Sequence, residues 1–117
     1  MPYVRTPVKV RLTEAEIRGI LDCVETLTRM HLVDCTLVSL FGSRVDLSQR
    51  GGDIDLYVQV KNGPGIVLFI LKRDLTLLLK EKLGDQKIDI IFDDGKVELG
   101  AFGKMVRESK VDIWTKN

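Results

Sequence analysis

Three aspartates and one short turn carry the residue types that could do chemistry in this chain. Asp53-Ile54-Asp55 places two carboxylates at alternate positions. In a strand, alternate residues project to one side, so the two acids sit side by side while Ile54 and Leu56 face the other way. Neighbouring carboxylates repel at neutral pH unless a cation bridges them or water screens them. An all-oxygen donor set suits Mg²⁺ or Mn²⁺. The plain alternative is the solvent-facing side of an edge strand. Asp89 is the third acid, set among Ile88, Ile90, Ile91 and Phe92. A carboxylate in such apolar company needs a partner, a metal or a function; the plain alternatives are that Asp89 lies on the exposed face of the sheet, or that it pairs with Lys87, which shares that face two positions away. Upstream, Phe41-Gly42-Ser43-Arg44 removes side-chain bulk just after an apolar run. Backbone N–H groups and the Ser43 hydroxyl could there approach an anion, and Arg44 could pair with a phosphate. A Gly-Ser turn after a strand is ordinary when taken alone.

The elements that must position these residues can be read along the chain. Thr13-Glu14-Ala15-Glu16 forms a capping box. Behind it, Ile17, Ile20, Leu21, Val24 and Leu27 recur at helical spacing, which predicts an amphipathic helix to about His31. Val8 to Leu12 reads as an edge strand or extended arm. Thr36 to Phe41 is rich in β-formers and predicts a buried strand ending at Gly42. Ser43 to Gly52 is a polar loop with room for one helical turn. Asp53 to Val60 alternates as a second strand. Lys61 to Gly65 is a turn, and Ile66 to Leu83 is a Leu-rich helix ended by Gly84. Lys87 to Phe92 is a third strand, Asp93-Asp94-Gly95 a turn, Val97 to Ser109 a weaker helix, and Val111 to Trp114 a short final strand. The expected fold class is α/β or α+β, a small mixed sheet covered by helices.

Composition narrows the functional classes. A chain of 117 residues is expected to form one domain, residues 1–117, with 1–12 as an arm or edge strand. The balance of 18 basic and 17 acidic side chains gives no general attraction to nucleic acid or to an anionic membrane. Cys23 and Cys35 fit neither a zinc cluster nor a redox pair and read as small buried thiols. The first residues hold no apolar signal segment, and charges such as Lys72, Arg73 and Asp74 interrupt the apolar stretches. A cytoplasmic location is the expectation, with no membrane partner. His31, the one histidine, reads as a capping or surface residue. Trp114 and Phe102 are expected as core or interface anchors, and the apolar faces of the Leu-rich helix serve either the core or a protein interface.

The joint pattern is more specific than its parts. Gly42-Ser43-Arg44, then Gly52-Asp53-Ile54-Asp55-Leu56, then Lys87-Ile88-Asp89 resembles the signature of the DNA polymerase beta nucleotidyltransferase superfamily. The short length resembles its smallest branch, the minimal nucleotidyltransferase (MNT) domains, over roughly residues 14–114. The resemblance implies a polymerase beta-like nucleotidyltransferase fold. Gly42, Ser43 and Arg44 would hold a nucleoside triphosphate. Asp53, Asp55 and Asp89 would bind Mg²⁺ or Mn²⁺ and form the catalytic set, with Asp89 helping to activate an attacking hydroxyl. Many relatives carry a small-residue or Arg-Gly turn after the Gly-Ser pair and a Ser before the first Asp. This chain has Val45-Asp46-Leu47 and Gly51-Gly52 instead.

The implied activity is transfer of a nucleoside monophosphate, AMP from ATP, onto a hydroxyl with release of pyrophosphate. Small MNT domains resemble antitoxins that act on, or bind, a HEPN-domain partner encoded beside them, which implies such a protein as partner and acceptor. Two other functions fit the same residues. One is a non-catalytic module that neutralises its partner and binds only nucleotide or metal. The other is a transferase to a small molecule or an RNA end, ranked last because the chain is near neutral and carries no added acceptor domain. A homo-oligomer is left open.

Overall fold

The computed structural model describes residues 10–45, 52–84, 86–96 and 99–116. The first helix, α1 (Glu14–Met30), starts where its capping box predicts. Thr13 Oγ1 accepts from the Glu16 N–H at 3.0 Å, and the Thr13 N–H donates back to Glu16 Oε1 at 2.9 Å. These two bonds satisfy N–H groups that the first helical turn leaves without partners. The apolar stripe of α1 is buried as its spacing requires, joined by Cys23 and Thr28. His31 caps the far end through its backbone N–H, which donates to Leu27 at 3.1 Å.

Strand β1 (Asp34–Phe41) runs into a 3₁₀ turn (Gly42–Val45), the single helical turn for which the polar loop had room. The strand starts two residues earlier than the β-former run suggests. Positions 46–51 of that loop lie outside the described residues, as do positions 1–9 of the expected arm. Strand β2 is Ile54–Lys61, so Asp53 stands just ahead of it. Helix α2 (Gly65–Leu83) returns the chain across the sheet to β3 (Ile88–Asp93) and ends at Gly84 with φ 89°. Asp93 and Asp94 make the predicted turn by accepting from the N–H groups of Gly95 and Lys96, each at 2.9 Å. Helix α3 is Gly100–Ser109 and strand β4 is Val111–Thr115. The expected helix start at Val97 lies outside the described residues.

The strand order is β3-β2-β1-β4. β1 runs antiparallel to both β2 and β4, whereas β2 and β3 are parallel. A parallel pair needs a long crossover, and α2 provides it. The central strands are buried on both faces. One face carries Val38, Leu40, Ile54, Leu56, Val58 and Ile90 and packs beneath α1 and α2, where Leu71, Leu75 and Leu79 are fully buried. The other face holds a smaller apolar group, Leu37, Phe41 and Tyr57, closed by Val106 of α3. Trp114 is buried, as expected of an anchor, while Phe102 is half exposed. No helix among the described residues is long and apolar enough to cross a membrane.

Candidate functional site

The parallel register of β2 and β3 sets Asp55 opposite Asp89. Both lie on the α3 side of the sheet, because Ile54 and Leu56 on one strand and Ile88 and Ile90 on the other are committed to the α1/α2 core. Asp55 is half buried and Asp89 exposed. Burial pushes the Asp55 carboxyl up to about 6, helped by the charges of Asp89 and Asp53 and by a hydrogen bond to Asp89, against the lowering charge of Lys87. An exposed Asp89 resolves its apolar sequence context: Ile88 and Ile90 face the core and Asp89 alternates outward.

Asp53 sits at the mouth of this pair. Its Oδ2 lies 3.8 Å from Lys87 Nζ, and the adjoining backbones are joined by the Ile54 N–H donating to the Lys87 carbonyl at 3.0 Å. Lys87 therefore pairs with Asp53, not with Asp89 as the two-residue spacing suggested. Among the described residues no three His, Cys, Asp or Glu side chains form a ready metal-holding group. Asp55 and Asp89 meet directly, while Asp53 is engaged by a lysine. The donors are all carboxylate oxygens, a chemistry that fits Mg²⁺ or Mn²⁺.

The 3₁₀ turn approaches the pair from β1. Phe41 is the register partner of Asp55, so Gly42 follows immediately beside it. Gly42 has φ 73°, and a Cβ there would collide with the Asp55 carboxylate. Both the backbone conformation and the close approach thus require glycine. Ser43 belongs to the same turn by its backbone; its side chain lies outside the described part. Arg44 is half buried and engaged by protein partners. Its Nη1 donates to the Arg11 carbonyl at 2.9 Å and its Nη2 to Gln86 Oε1 at 2.6 Å, while the Arg11 N–H donates to the Arg44 carbonyl at 2.8 Å. The guanidinium joins the arm, the turn and the segment leading into β3.

Sequence reasoning missed several neighbours on this face. Tyr57 donates to Asp93 and receives a bond from Gln59 Nε2 at 3.1 Å. Burial comes first among the causes that raise the Tyr57 phenol, followed by its bond to Asp93. Buried Ser39 donates to Asp112 Oδ1 at 2.6 Å, and Lys110 also contacts that carboxylate. Alternation along β2 could have flagged Tyr57 and Gln59, which share the side of Asp55. Nothing local signals Gln86. Beside the turn, the Phe102 ring of α3 meets Phe41 edge-on, with centroids 6.1 Å apart and planes at 79°.

Comparison with known proteins agrees with this architecture. No protein family model matches the chain, and no curated protein does. Solved structures share the fold, among them two toxin–antitoxin structures. One is a mutant of the MntA–HpeT toxin–antitoxin, with TM-score 0.60 and 19% identity over 82% of this chain and 73% of that one. The other is a toxin–antitoxin with AMP-PNP, with TM-score 0.61 and 21% identity over the same shares of each chain. At that identity the likeness establishes a common fold: a small mixed sheet covered by helices.

Proposed function

We propose that this chain is a Mg²⁺-dependent nucleotidyltransferase that moves AMP from ATP onto a hydroxyl of a toxin partner of HEPN type, and so acts as a cytoplasmic antitoxin. The observation that carries the reading is Asp55 set against Asp89 across two parallel strands, with the glycine turn at Gly42 pressed against Asp55. Solved structures of the same fold are toxin–antitoxins, one of them with a nucleotide analogue, which supports both the nucleotide and the protein partner.

In this reading the acceptor oxygen bonds to the α-phosphorus of ATP, the bond from that phosphorus to the β-phosphate bridging oxygen breaks, and pyrophosphate leaves. Transfers of this kind depend on positioning and charge neutralisation rather than on covalent catalysis. The bare backbone at Gly42 lets the triphosphate approach closely, and the following N–H groups of the turn donate to it. Asp89, the exposed member of the pair, faces the side from which an acceptor hydroxyl arrives and draws its proton. Asp55 and Asp89 would hold the metal, joined by Asp53 once Lys87 releases it. Bound Mg²⁺ offsets the charge of the triphosphate and of these carboxylates. Arg44 supports the turn from behind in this scheme.

The test is transfer of label from α-³²P-ATP to a HEPN protein encoded beside this chain. Wild type should label it with Mg²⁺ present, and Asp55→Asn and Asp89→Asn should not. Labelling that survives both substitutions overturns the proposal. A second reading, a non-catalytic neutralising module, is favoured by the Asp53–Lys87 pairing, which engages one of the three acids. In that case wild type leaves the partner unlabelled, and Asp55→Asn still binds and neutralises it.

A further inference from the structure

Helix α3 seats itself on the sheet with small residues. Gly103 and Val106 are its buried positions, and a Cβ at Gly103 would run into Leu99. This seating leaves a large aromatic side chain outside: Phe102 is 50% exposed, and Met105, its neighbour one turn on, is 46% exposed. Phe102 reaches the Leu37–Phe41–Tyr57 group beneath through Phe41, edge-on, an arrangement that aromatic quadrupoles favour and that fixes the ring's orientation while leaving half of its surface free. Phe41 is the register partner of Asp55 and the residue before Gly42. The exposed ring therefore lies one side chain away from the carboxylate pair, on the same side of the sheet.

We propose that Phe102 is the stacking platform for the nucleobase of the nucleotide bound at this site. The inference rests on the nucleotidyltransferase reading and adds where the base goes and how it is selected. With phosphates at the Gly42 turn and Asp55–Asp89, the base extends past Phe41 and lays its face on Phe102, with the soft Met105 thioether beside it. Stacking reads the π-face that every base presents, so selection is by ring size, purines ahead of pyrimidines, with none excluded. Phe102 thereby separates nucleotides from inorganic polyphosphate.

The experiment is Mg²⁺-dependent calorimetric titration of ATP, CTP and inorganic tripolyphosphate into wild type, Phe102→Ala, Phe102→Leu and Phe102→Tyr. Phe102→Ala should weaken ATP by about 5- to 150-fold, the range for loss of one stacked base, and CTP by less. Phe102→Leu keeps apolar bulk without a π-face and should lose ATP similarly, whereas Phe102→Tyr should restore it. Tripolyphosphate should bind all four proteins alike. Unchanged ATP affinity in Phe102→Ala, or equal weakening of ATP and tripolyphosphate, overturns the stacking assignment alone. Failure of wild type to bind either ligand overturns the nucleotidyltransferase reading beneath it.

Discussion

Asp55 and Asp89 face each other across β2 and β3, and one of the two carries a proton more readily than an ordinary aspartate. The half-buried Asp55 titrates near pH 6 in the folded chain, against 3.8 for the unperturbed group. Between those values the native state holds a proton that the unfolded state has released. Stability from this group is therefore present below about pH 4 and is lost as pH rises through about 6. Melting temperatures of wild type and Asp55→Asn across pH 4–7 check this. The variant should gain on wild type as pH rises, then keep a constant lead above about pH 6.5. A constant difference throughout would remove the shared proton from the account.

Gly42 is constrained twice and Gly84 once. Both have positive φ, 73° and 89°, but only at Gly42 would a Cβ meet another group, the Asp55 carboxylate. Gly84→Ala should cost about 1–3 kcal/mol for backbone strain, because φ 89° with ψ −176° is open essentially to glycine alone. Gly42→Ala should cost about 1–3 kcal/mol more, as strain and collision add. Urea denaturation of the two variants, read as midpoints at equal m-value, separates the contributions. Equal costs would mean that Asp55 moves aside freely.

Arg44 offers two donors to two segments, Arg11 and Gln86, and lysine cannot reproduce that fork. Arg44→Lys should lower stability by about 1–2 kcal/mol. The amide of Arg11, which donates to the Arg44 carbonyl at 2.8 Å, should exchange with solvent faster in the variant, while core amides of β2 keep their protection. Unchanged exchange at Arg11 would show that the arm is held by something else.

Cys35 is buried, and burial pushes its thiol up to about 12; Cys23 is buried and raised as well. Since the thiolate is the reactive species, neither should react with Ellman's reagent at pH 8 in the native state. Two thiols should appear on adding guanidinium chloride. Release of one equivalent from the native protein would place Cys23, the less shifted of the pair, near a solvent path.

The readable part of this molecule was local. The capping box at Thr13, the stripe of α1 and the alternation of β2 depend on residues within one turn or one pleat of each other, and each gave an element nearly in its observed place. The same locality put Asp53 and Asp55 together. What escaped crosses the sheet. Gln86 lies 42 positions from Arg44 and carries no signal of its own as a partner for it. Lys87 was matched to Asp89 by spacing, yet the parallel register delivers it to Asp53. Asp89 takes the exposed face, one of the alternatives its sequence context leaves open, because an edge strand sends alternate residues outward even between isoleucines. The second apolar group beneath α3 was invisible for the same reason, since Leu37, Tyr57 and Val106 come from three separate elements.

The two faces of the sheet live under different rules of inheritance. One is crowded by two long helices, so substitutions at Leu71, Leu75 or Leu79 meet fully buried surroundings. The other is roofed by one short helix resting on Gly103 and Val106. A lineage could rewrite the outward residues of that helix, Phe102 and Met105 among them, with little disturbance to the buried seat at Gly103 and Val106. The outward side of the roof, not its seat, is the part of this architecture with room to drift.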